Sequence, residues 1–236
     1  MKISDERIDQ LNQDIEDIIC QYRDIPSTKL AEIFKVNMGP KNALNTLTYR
    51  MVESSGSLAL RQLLSDDDFR FKTVRLDKYG RLRESMSLPA FRYTDIVGET
   101  WETSELRSYF HQKIFAFMVF RAERKELFLN KIILWKMPEH VLESSVCEVW
   151  KRIHYLLKQG LVVKYIDDNG RYFTYFPSSA ENPYVHVRPH AQNRQDTFPL
   201  PVADKLTGLV QYPKHSFWLN RAYILKIINK EEKQSI

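Results

Sequence analysis

Cysteine, glycine and long apolar runs are scarce in this sequence, and each scarcity excludes a class of protein. Only two of the 236 residues are cysteines, Cys20 and Cys147, and they form no CxxC pair and no zinc-spaced cluster with histidine. No run of about 18 apolar residues occurs, so we expect neither a membrane-spanning helix nor a signal peptide. Seven glycines and no low-complexity tract argue against a disordered or repeat protein. We therefore expect a reduced, cytoplasmic, globular protein that does not act at a membrane.

Common catalytic signatures are missing as well. The chain has no Ser-His-Asp order, no P-loop and no GxGxxG stretch. What it has is a small basic excess, 35 Lys and Arg against 30 Asp and Glu, and a hydrophobic content of 43%. These values predict one large domain or a small domain with an appendage, and they are compatible with a polyanionic partner without requiring one.

The first part of the chain is predicted to be helical. Apolar residues at steps of three and four predict an amphipathic helix whose buried face holds Ile8, Leu11, Ile15, Ile18 and Tyr22. Ser27 is the predicted N-cap of a second helix, with Leu30, Ile33 and Phe34 facing inward. Pro40 suits the first turn of a third helix, which runs to about Met51. We interpret residues 1–65 as an N-terminal helical subdomain.

Strand patterns dominate after residue 65, and residues 66–236 are predicted to form the core. Residues 69–76 alternate in polarity, 77–80 are turn-like, and 81–88 are predicted to return as the partner strand. The apolar run 113–121 predicts a buried central strand and 127–135 another. A long helix follows Pro138 and ends before Gly160, short strands at 161–166 and 171–176 flank a turn, and a last helix covers 219–228. The fold class is α/β (α+β), a mixed sheet flanked by helices.

The stretch 184–196 carries the most functional information. A short strand, 184–187, is followed by Pro189, which lacks an N–H and so ends a regular ladder. The following loop can present its polar groups to a partner. Arginine, histidine and asparagine are donors suited to phosphates and base edges. The alternative is an ordinary solvated loop. The candidate donors are His186, Arg188, His190, Asn193 and Arg194, with Asp196 as an orienting carboxylate.

These residues also resemble part of a known nuclease fold. The segments 186–196, 203–206 and 216–220 are similar to the C-terminal half of MutH-like nucleases, the group that includes GATC-cutting type II restriction endonucleases. Segments 84–87, 90–91, 101–105, 115–120 and 137–139 match in the same order, so the resemblance covers nearly the whole chain. It is strongest to the second of two MutH-like halves in such an enzyme. It implies a restriction-endonuclease-like fold and binding of double-stranded DNA, with Lys72, Lys113 and Lys214 joining the loop residues as DNA contacts.

The resemblance also implies a metal motif, which this chain lacks. Related nucleases use Asp…Glu-x-Lys, in which two carboxylates hold Mg²⁺ and the lysine lies two residues on, on the same face of its strand. Here the lysine is Lys72, but Arg70 stands where glutamate is expected. A guanidinium has no acceptor and repels Mg²⁺. We expect no catalytic residue and no bound metal in this chain, although a parent nuclease would use Mg²⁺.

Three hypotheses remain open. The first is a catalytically silent C-terminal effector domain that binds double-stranded DNA, with GATC the expected sequence, and regulates a catalytic N-terminal half. The second is an active Mg²⁺-dependent GATC endonuclease with a rearranged metal site, in which Glu84, Glu102 or Glu105 supplies a ligand. The third is a dimerisation domain of a restriction complex without DNA contact. Metal-dependent nicking separates the first two hypotheses, and salt-dependent DNA binding separates both from the third.

Overall fold

The structure, a computed structural model, describes residues 5–230, with side chains from Leu11 onward. The described chain forms two compact units with mixed α and β structure. Unit 1 contains residues 5–83 and Gln112–Lys136, and unit 2 contains Glu84–His111 and residues 137–230. The helical segment and the first sheet therefore lie in one unit, and the predicted division at residue 65 stays a prediction. No helix within 5–230 has the length and apolar character needed to cross a membrane.

The N-terminal helices form one side of unit 1: α1 (Asp5–Tyr22), α2 (Ser27–Ile33), α3 (Ala43–Glu53) and α4 (Leu58–Leu64). The predicted face of α1 is confirmed, because Leu11, Ile15, Ile18 and Tyr22 are all buried; the side chain of Ile8 lies outside the described residues. Helix α3 begins three residues after Pro40 rather than at it.

Helix α2 corrects two details of the prediction. Pro26 occupies the N-cap position, and Ser27 is already inside the helix as a buried residue. The side chain of Ile33 is 54% exposed. At 100° per residue, the buried stripe runs through Ser27, Leu30 and Ala31, and Ile33 falls outside it. Periodicity alone placed Ile33 on the wrong side of a helix this short.

The sheet of unit 1 has the order β1–β3–β4, with β1 (Phe69–Leu76), β3 (Ile114–Glu123) and β4 (Glu126–Trp135). Strand β3 lies parallel to β1 and antiparallel to β4, so the predicted buried central strand is confirmed. One face of β1, with Phe69 and Phe71, packs into the core cluster formed with the helices.

The predicted return strand 81–88 is wrong. Only one isolated bridge, Leu76 to Leu82, continues the hairpin. Residues 81–85 offer Leu82 as their one apolar side chain, so no buried row holds a second strand in register. The chain instead forms β2 (Met86–Phe91) in unit 2.

Unit 2 is built on a second sheet of order β2–β10–β7, with β7 (Val185–Pro189) and β10 (His215–Leu219). Two hairpins, β5 (Val163–Ile166) with β6 (Tyr172–Thr174) and β8 (Thr197–Pro199) with β9 (Gln211–Pro213), accompany it. Its helices are α5 (Tyr93–Gly98), α6 (Glu105–Gln112), α7 (Glu139–Val141), α8 (Cys147–Lys158) and α9 (Arg221–Lys230).

The long helix predicted after Pro138 is confirmed, with a π-helical turn, Leu142–Val146, joining α7 to α8. The C-terminal end of α8 requires glycine. Gly160 has φ +62°, and a Cβ there would lie 2.5 Å from the carbonyl oxygen of Ala203. Any larger residue would therefore meet both backbone strain and a steric clash.

Candidate functional site

The pairing of β7 with β10 divides the predicted motif between two faces of the sheet. Val185 and Val187 pair with Leu219 and Phe217 and are buried. His186 and Arg188 alternate with them, so they point to the opposite face. Their partners across the ladder are Trp218 and Ser216. The functional candidates on β7 therefore share a face with one tryptophan and one serine of β10.

His186 is a structural residue on that face. Its side chain is 2% exposed, and its Nδ1 bonds to Oδ1 of Asn220. The Asn220 amide nitrogen in turn donates to the carbonyl oxygen of Asn182 at 2.6 Å. Burial lowers the pKa of His186, which outweighs the opposing effect of the Asn220 bond. The expectation that His186 touches DNA is therefore corrected, because a buried, bonded ring offers a ligand no surface.

Arg188 is the exposed cation of this face. Its guanidinium carbon lies 5.1 Å from the centre of the Trp218 ring. On the same tryptophan, the ring of His190 lies at 6.1 Å and is tilted by 58°. His190 Nδ1 is also 3.2 Å from Oγ of Ser216. The Arg188 and His190 side chains are thus both placed beside one aromatic ring, which restrains their orientation.

The indole of Trp218 carries an unsatisfied donor. Its Nε1 is buried and has no hydrogen-bond partner among the described residues. Burying such a donor without an acceptor costs about 1–3 kcal/mol, so few native groups are left in this state. No sequence pattern predicts this buried donor, since Trp218 could equally have been a core residue.

The loop after β7 is held by bonds to the start of β10. The backbone N–H of His190 donates to the carbonyl oxygen of Lys214 at 2.7 Å, and the N–H of Lys214 donates to that of Asp196 at 3.0 Å. The Asp196 carboxylate accepts from Lys214 Nζ at 2.5 Å and from the N–H of Gln192 at 3.0 Å. The Lys214 bond, more than any other contact, lowers the pKa of Asp196. The prediction that Asp196 orients a basic group is confirmed.

The remaining loop residues differ in how far they are engaged. Asn193 Oδ1 accepts from the N–H groups of Gln195 and Asp196 at 2.9 and 3.1 Å, which closes a local turn. Asn193 and Arg194 are both exposed. Lys214 Nζ also lies 4.7 Å from the ring centre of Phe198, which helps to hold this lysine in place. Its side chain remains partly exposed.

A buried polar group behind the sheet was not predicted. His215 is 2% exposed, and its Nδ1 lies 2.7 Å from the carbonyl oxygen of Pro213 and 2.9 Å from the hydroxyl of Tyr93. Burial lowers the pKa of His215 to about 4. Burial also raises the pKa of Tyr93, with a smaller contribution from Tyr212. This neutral cluster fixes the start of β10, next to Ser216.

The strand predicted to hold the nuclease motif position is β1, in unit 1. Arg70 and Lys72 occupy one face of β1 and pair with Phe115 and Phe117 of β3. Arg70 Nη1 donates to the carbonyl oxygen of Phe69 at 2.8 Å. Burial, and then the charge of Arg70, lower the pKa of Lys72. The motif position is thus a pair of cations beside buried aromatic rings.

No carboxylate completes a metal site at this position in the described chain. Asp67 Oδ1 approaches Arg70 only at 4.0 Å and is fully exposed. Asp68 Oδ1 lies 3.6 Å from Nζ of Lys113, the other predicted contact in unit 1. Across residues 5–230, no three His, Cys, Asp or Glu side chains come together in a way that could hold a metal ion. The three glutamates considered as replacement ligands, Glu84, Glu102 and Glu105, belong to unit 2.

Comparison with known protein families finds no match. Among curated proteins, the chain is similar to the type II restriction enzyme Sau3AI of Staphylococcus aureus, with 28% identity. The alignment covers 95% of this chain and 55% of that enzyme. The chain therefore spans about half the length of the curated relative it matches.

Proposed function

We propose that this chain is a DNA-binding, catalytically silent domain of a type II restriction endonuclease. It binds double-stranded DNA at a specific sequence, GATC by the resemblance, and has a MutH-like fold. The observation that carries the proposal is the Arg188–Trp218 stack at 5.1 Å, set beside a loop fixed by backbone bonds. The similarity to a restriction enzyme supports the choice of DNA as partner.

Arg188, near the exposed end of β7, has the chemistry of base readout. Arginine binds guanine O6 and N7 through two parallel N–H groups, the commonest specific contact in the major groove. Such a contact needs a guanidinium plane with a fixed orientation, and the Trp218 ring supplies it. His190 and the Asn193 amide add donors on the same loop, while Arg194 and Lys214 suit phosphate oxygens. His186 acts through Asn220 to position β7 rather than by contact.

The motif position on β1 has the chemistry of phosphate binding rather than hydrolysis. Mg²⁺ needs carboxylate oxygens, and Arg70 with Lys72 presents two positive groups instead. The residues present do not fit Mg²⁺, so we derive no cleavage step at this strand. Lys72 and Lys113 are proposed phosphate contacts.

The proposed effector role combines DNA binding with the absence of DNA cleavage. The relative is nearly twice as long as the aligned segment, which leaves room for a catalytic half elsewhere in such an enzyme. A domain that binds a second copy of the target can regulate that half, because ligand binding shifts a conformational equilibrium only through differential affinity. The partners of this chain are then DNA, the catalytic N-terminal half and, in a dimer, a second copy of the protein.

One observation favours the alternative of an active endonuclease. Lys72 is retained, and its pKa is lowered, as expected for a lysine that handles a proton. Without a carboxylate beside it, however, the lowered pKa follows from burial and from Arg70 alone.

The test is a titration of the chain with a GATC duplex and a scrambled duplex of equal length. It is performed at two salt concentrations, each with and without Mg²⁺, with fluorescence anisotropy for binding and gel analysis for cleavage. We expect tighter binding to GATC, a steep salt dependence, no requirement for Mg²⁺ and no cleavage. Equal affinity for both duplexes at physiological salt would refute specific readout, and Mg²⁺-dependent cleavage would establish the alternative.

A further inference from the structure

Two turns that are distant in sequence meet at one end of the unit 1 sheet. The turn 77–80 follows β1, whose last residue, Leu76, pairs with Arg121 of β3. Arg121 Nη2 also donates to the carbonyl oxygen of Lys78 at 3.4 Å. After Glu123, residues 124 and 125 form the turn of the β3–β4 hairpin, and β4 begins with Glu126, which pairs with Glu123. We refer to residues 75–83 and 121–126 as the basic tip.

The basic tip concentrates the positive charge of the chain. It contains seven basic and three acidic residues, a net charge of +4 in a protein whose total is +5. All seven basic side chains are exposed: Arg75, Lys78, Arg81, Arg83, Arg121, Arg124 and Lys125. The Asp77 carboxylate is occupied within its own turn, where it accepts from the N–H of Tyr79 at 2.9 Å and from Arg81 Nε at 3.0 Å.

The turn between β3 and β4 has basic residues at two positions where the backbone conformation favours asparagine and glycine. Arg124 has φ +47° and Lys125 has φ +76°, both in the left-handed region. A two-residue turn of this type is dominated by Asn-Gly, because L side chains other than Asn and Asp are strained there. The chain accepts strain at both positions and thereby places two long cations at the very end of the sheet.

An aromatic ring lies among these cations. The side chain of Tyr79 is 67% exposed, and Lys78 Nζ and the Arg81 guanidinium carbon lie 4.8 and 4.7 Å from its ring centre. The ring restrains both cations, and its hydroxyl is a further donor to an anion. Apart from this ring, the exposed part of the tip offers no large apolar side chain with which to enter a lipid bilayer.

We propose that the basic tip binds the phosphodiester backbone of duplex DNA without regard to sequence. The inference rests on the proposed function and assigns it a second surface, which belongs to unit 1, whereas the loop after β7 belongs to unit 2. Seven exposed cations at one end of the sheet, two of them held against the Tyr79 ring, present positive charge to the negatively charged backbone of a duplex. Contacts of this kind set affinity and position, whereas base contacts set selectivity.

The test replaces the strained turn by the residues its geometry prefers, Arg124→Asn with Lys125→Gly. Because the new pair relieves strain, the variant should unfold at the same or a higher urea concentration than the wild type. It should nevertheless bind GATC and scrambled duplexes about tenfold more weakly, with the log–log salt slope reduced by about 1.8 for two lost phosphate contacts. The selectivity ratio should not change. Arg75→Gln with Lys78→Gln, which leaves the hairpin turn intact, should act in the same direction.

A charge-matched control removes two lysines from α9, Lys226→Gln with Lys230→Gln, and should leave affinity and slope near wild type. If the wild type binds DNA and both tip variants bind equally well, the tip proposal is wrong while the proposed function stands. The tip proposal is also overturned if the control loses as much affinity as the tip variants, or if the tip variants lose selectivity. If the wild type binds no duplex, the proposed function itself fails.

Discussion

Replacing Arg188 by lysine separates the shape of this side chain from its charge. Arg188 is exposed near the end of β7, where its guanidinium carbon lies 5.1 Å from the Trp218 ring centre. Lysine keeps the positive charge but has neither the planar group that stacks nor the paired N–H groups that read guanine. The strand pairing with Ser216 is a backbone contact and is preserved.

The magnitude follows from the two interactions that are lost. A bidentate base contact contributes about 1–3 kcal/mol of discrimination, and an exposed cation–π contact about 0.5–1 kcal/mol of orientation. Since 1.4 kcal/mol is a factor of about ten, Arg188→Lys should lower the preference for GATC over scrambled DNA by about tenfold or more. Affinity for scrambled DNA and its salt slope should stay near wild type, because the number of cations is unchanged.

The assay is fluorescence anisotropy with both duplexes at two salt concentrations. Arg188→Ala should reduce selectivity by as much as Arg188→Lys does, and it should also weaken binding to the scrambled duplex. Lys230→Ala in α9 should change neither the selectivity nor the affinity for the scrambled duplex. Circular dichroism confirms that each variant is folded. If folded Arg188→Lys retains the full GATC preference, Arg188 does not read a base, and the assignment of this face of β7 is refuted.

Three further outcomes test the motif strand and the packing of unit 2. The unmodified chain should not nick GATC plasmid with Mg²⁺ or Mn²⁺, and Arg70→Glu should restore little activity; cleavage abolished by Lys72→Ala would contradict this. Asp204→Ala should lower the free energy of unfolding by about 2–5 kcal/mol in urea at pH 7, because this buried carboxylate accepts bonds from the N–H groups of Val162 and Val163 at 3.0 and 2.9 Å; Asp204→Asn should cost less. His215, whose pKa burial lowers to about 4, stabilises the fold fully above its unfolded pKa of about 6.5 and loses that contribution as the pH falls toward 4. The free energy of unfolding should therefore drop more over this range, by up to about 3 kcal/mol, than in His215→Gln, and equal slopes would show that His215 is not the titrating group.

Elements with strong local signals could be predicted from the sequence. The run 113–121 is apolar enough that only a central strand buries it, and it is β3. The turn before β6 is encoded by Asp167, whose carboxylate accepts from the N–H groups of Asn169 and Arg171, and by Gly170 with φ +73°. In both cases the interaction that decides the structure lies within a few residues of the pattern.

Strand pairings and burial that depend on distant parts of the chain could not be predicted from the sequence. Nothing near β1 indicates that its partner is the parallel strand β3 rather than residues 81–88, because register is fixed by tertiary packing. For the candidate site, the sequence predicted Arg188 and His190 at the exit of a strand ending at residue 187, whereas β7 continues through Arg188 to Pro189, which still pairs with His215. The sequence could not show that His186 is buried against Asn220, which lies 34 residues away. Exposure is what distinguishes a ligand contact from a structural histidine, and exposure is a property of the folded chain.

Under the proposed function, Arg70 stands where a nuclease would have a carboxylate, and this changes what a phosphate group would meet at β1. A carboxylate there would repel the phosphate by about 1–4 kcal/mol at a separation of 4 Å, and a bridging Mg²⁺ would be needed to reverse that interaction. Arg70 would attract a phosphate directly, and the same anion would favour the protonated form of Lys72, whose pKa is lowered by burial and by Arg70. Under the proposed function, binding at this strand therefore requires no metal, and the strand supplies no carboxylate ligand for hydrolysis. Arg70 would thus favour holding DNA and oppose cutting it, which is the combination that the proposed regulatory role requires.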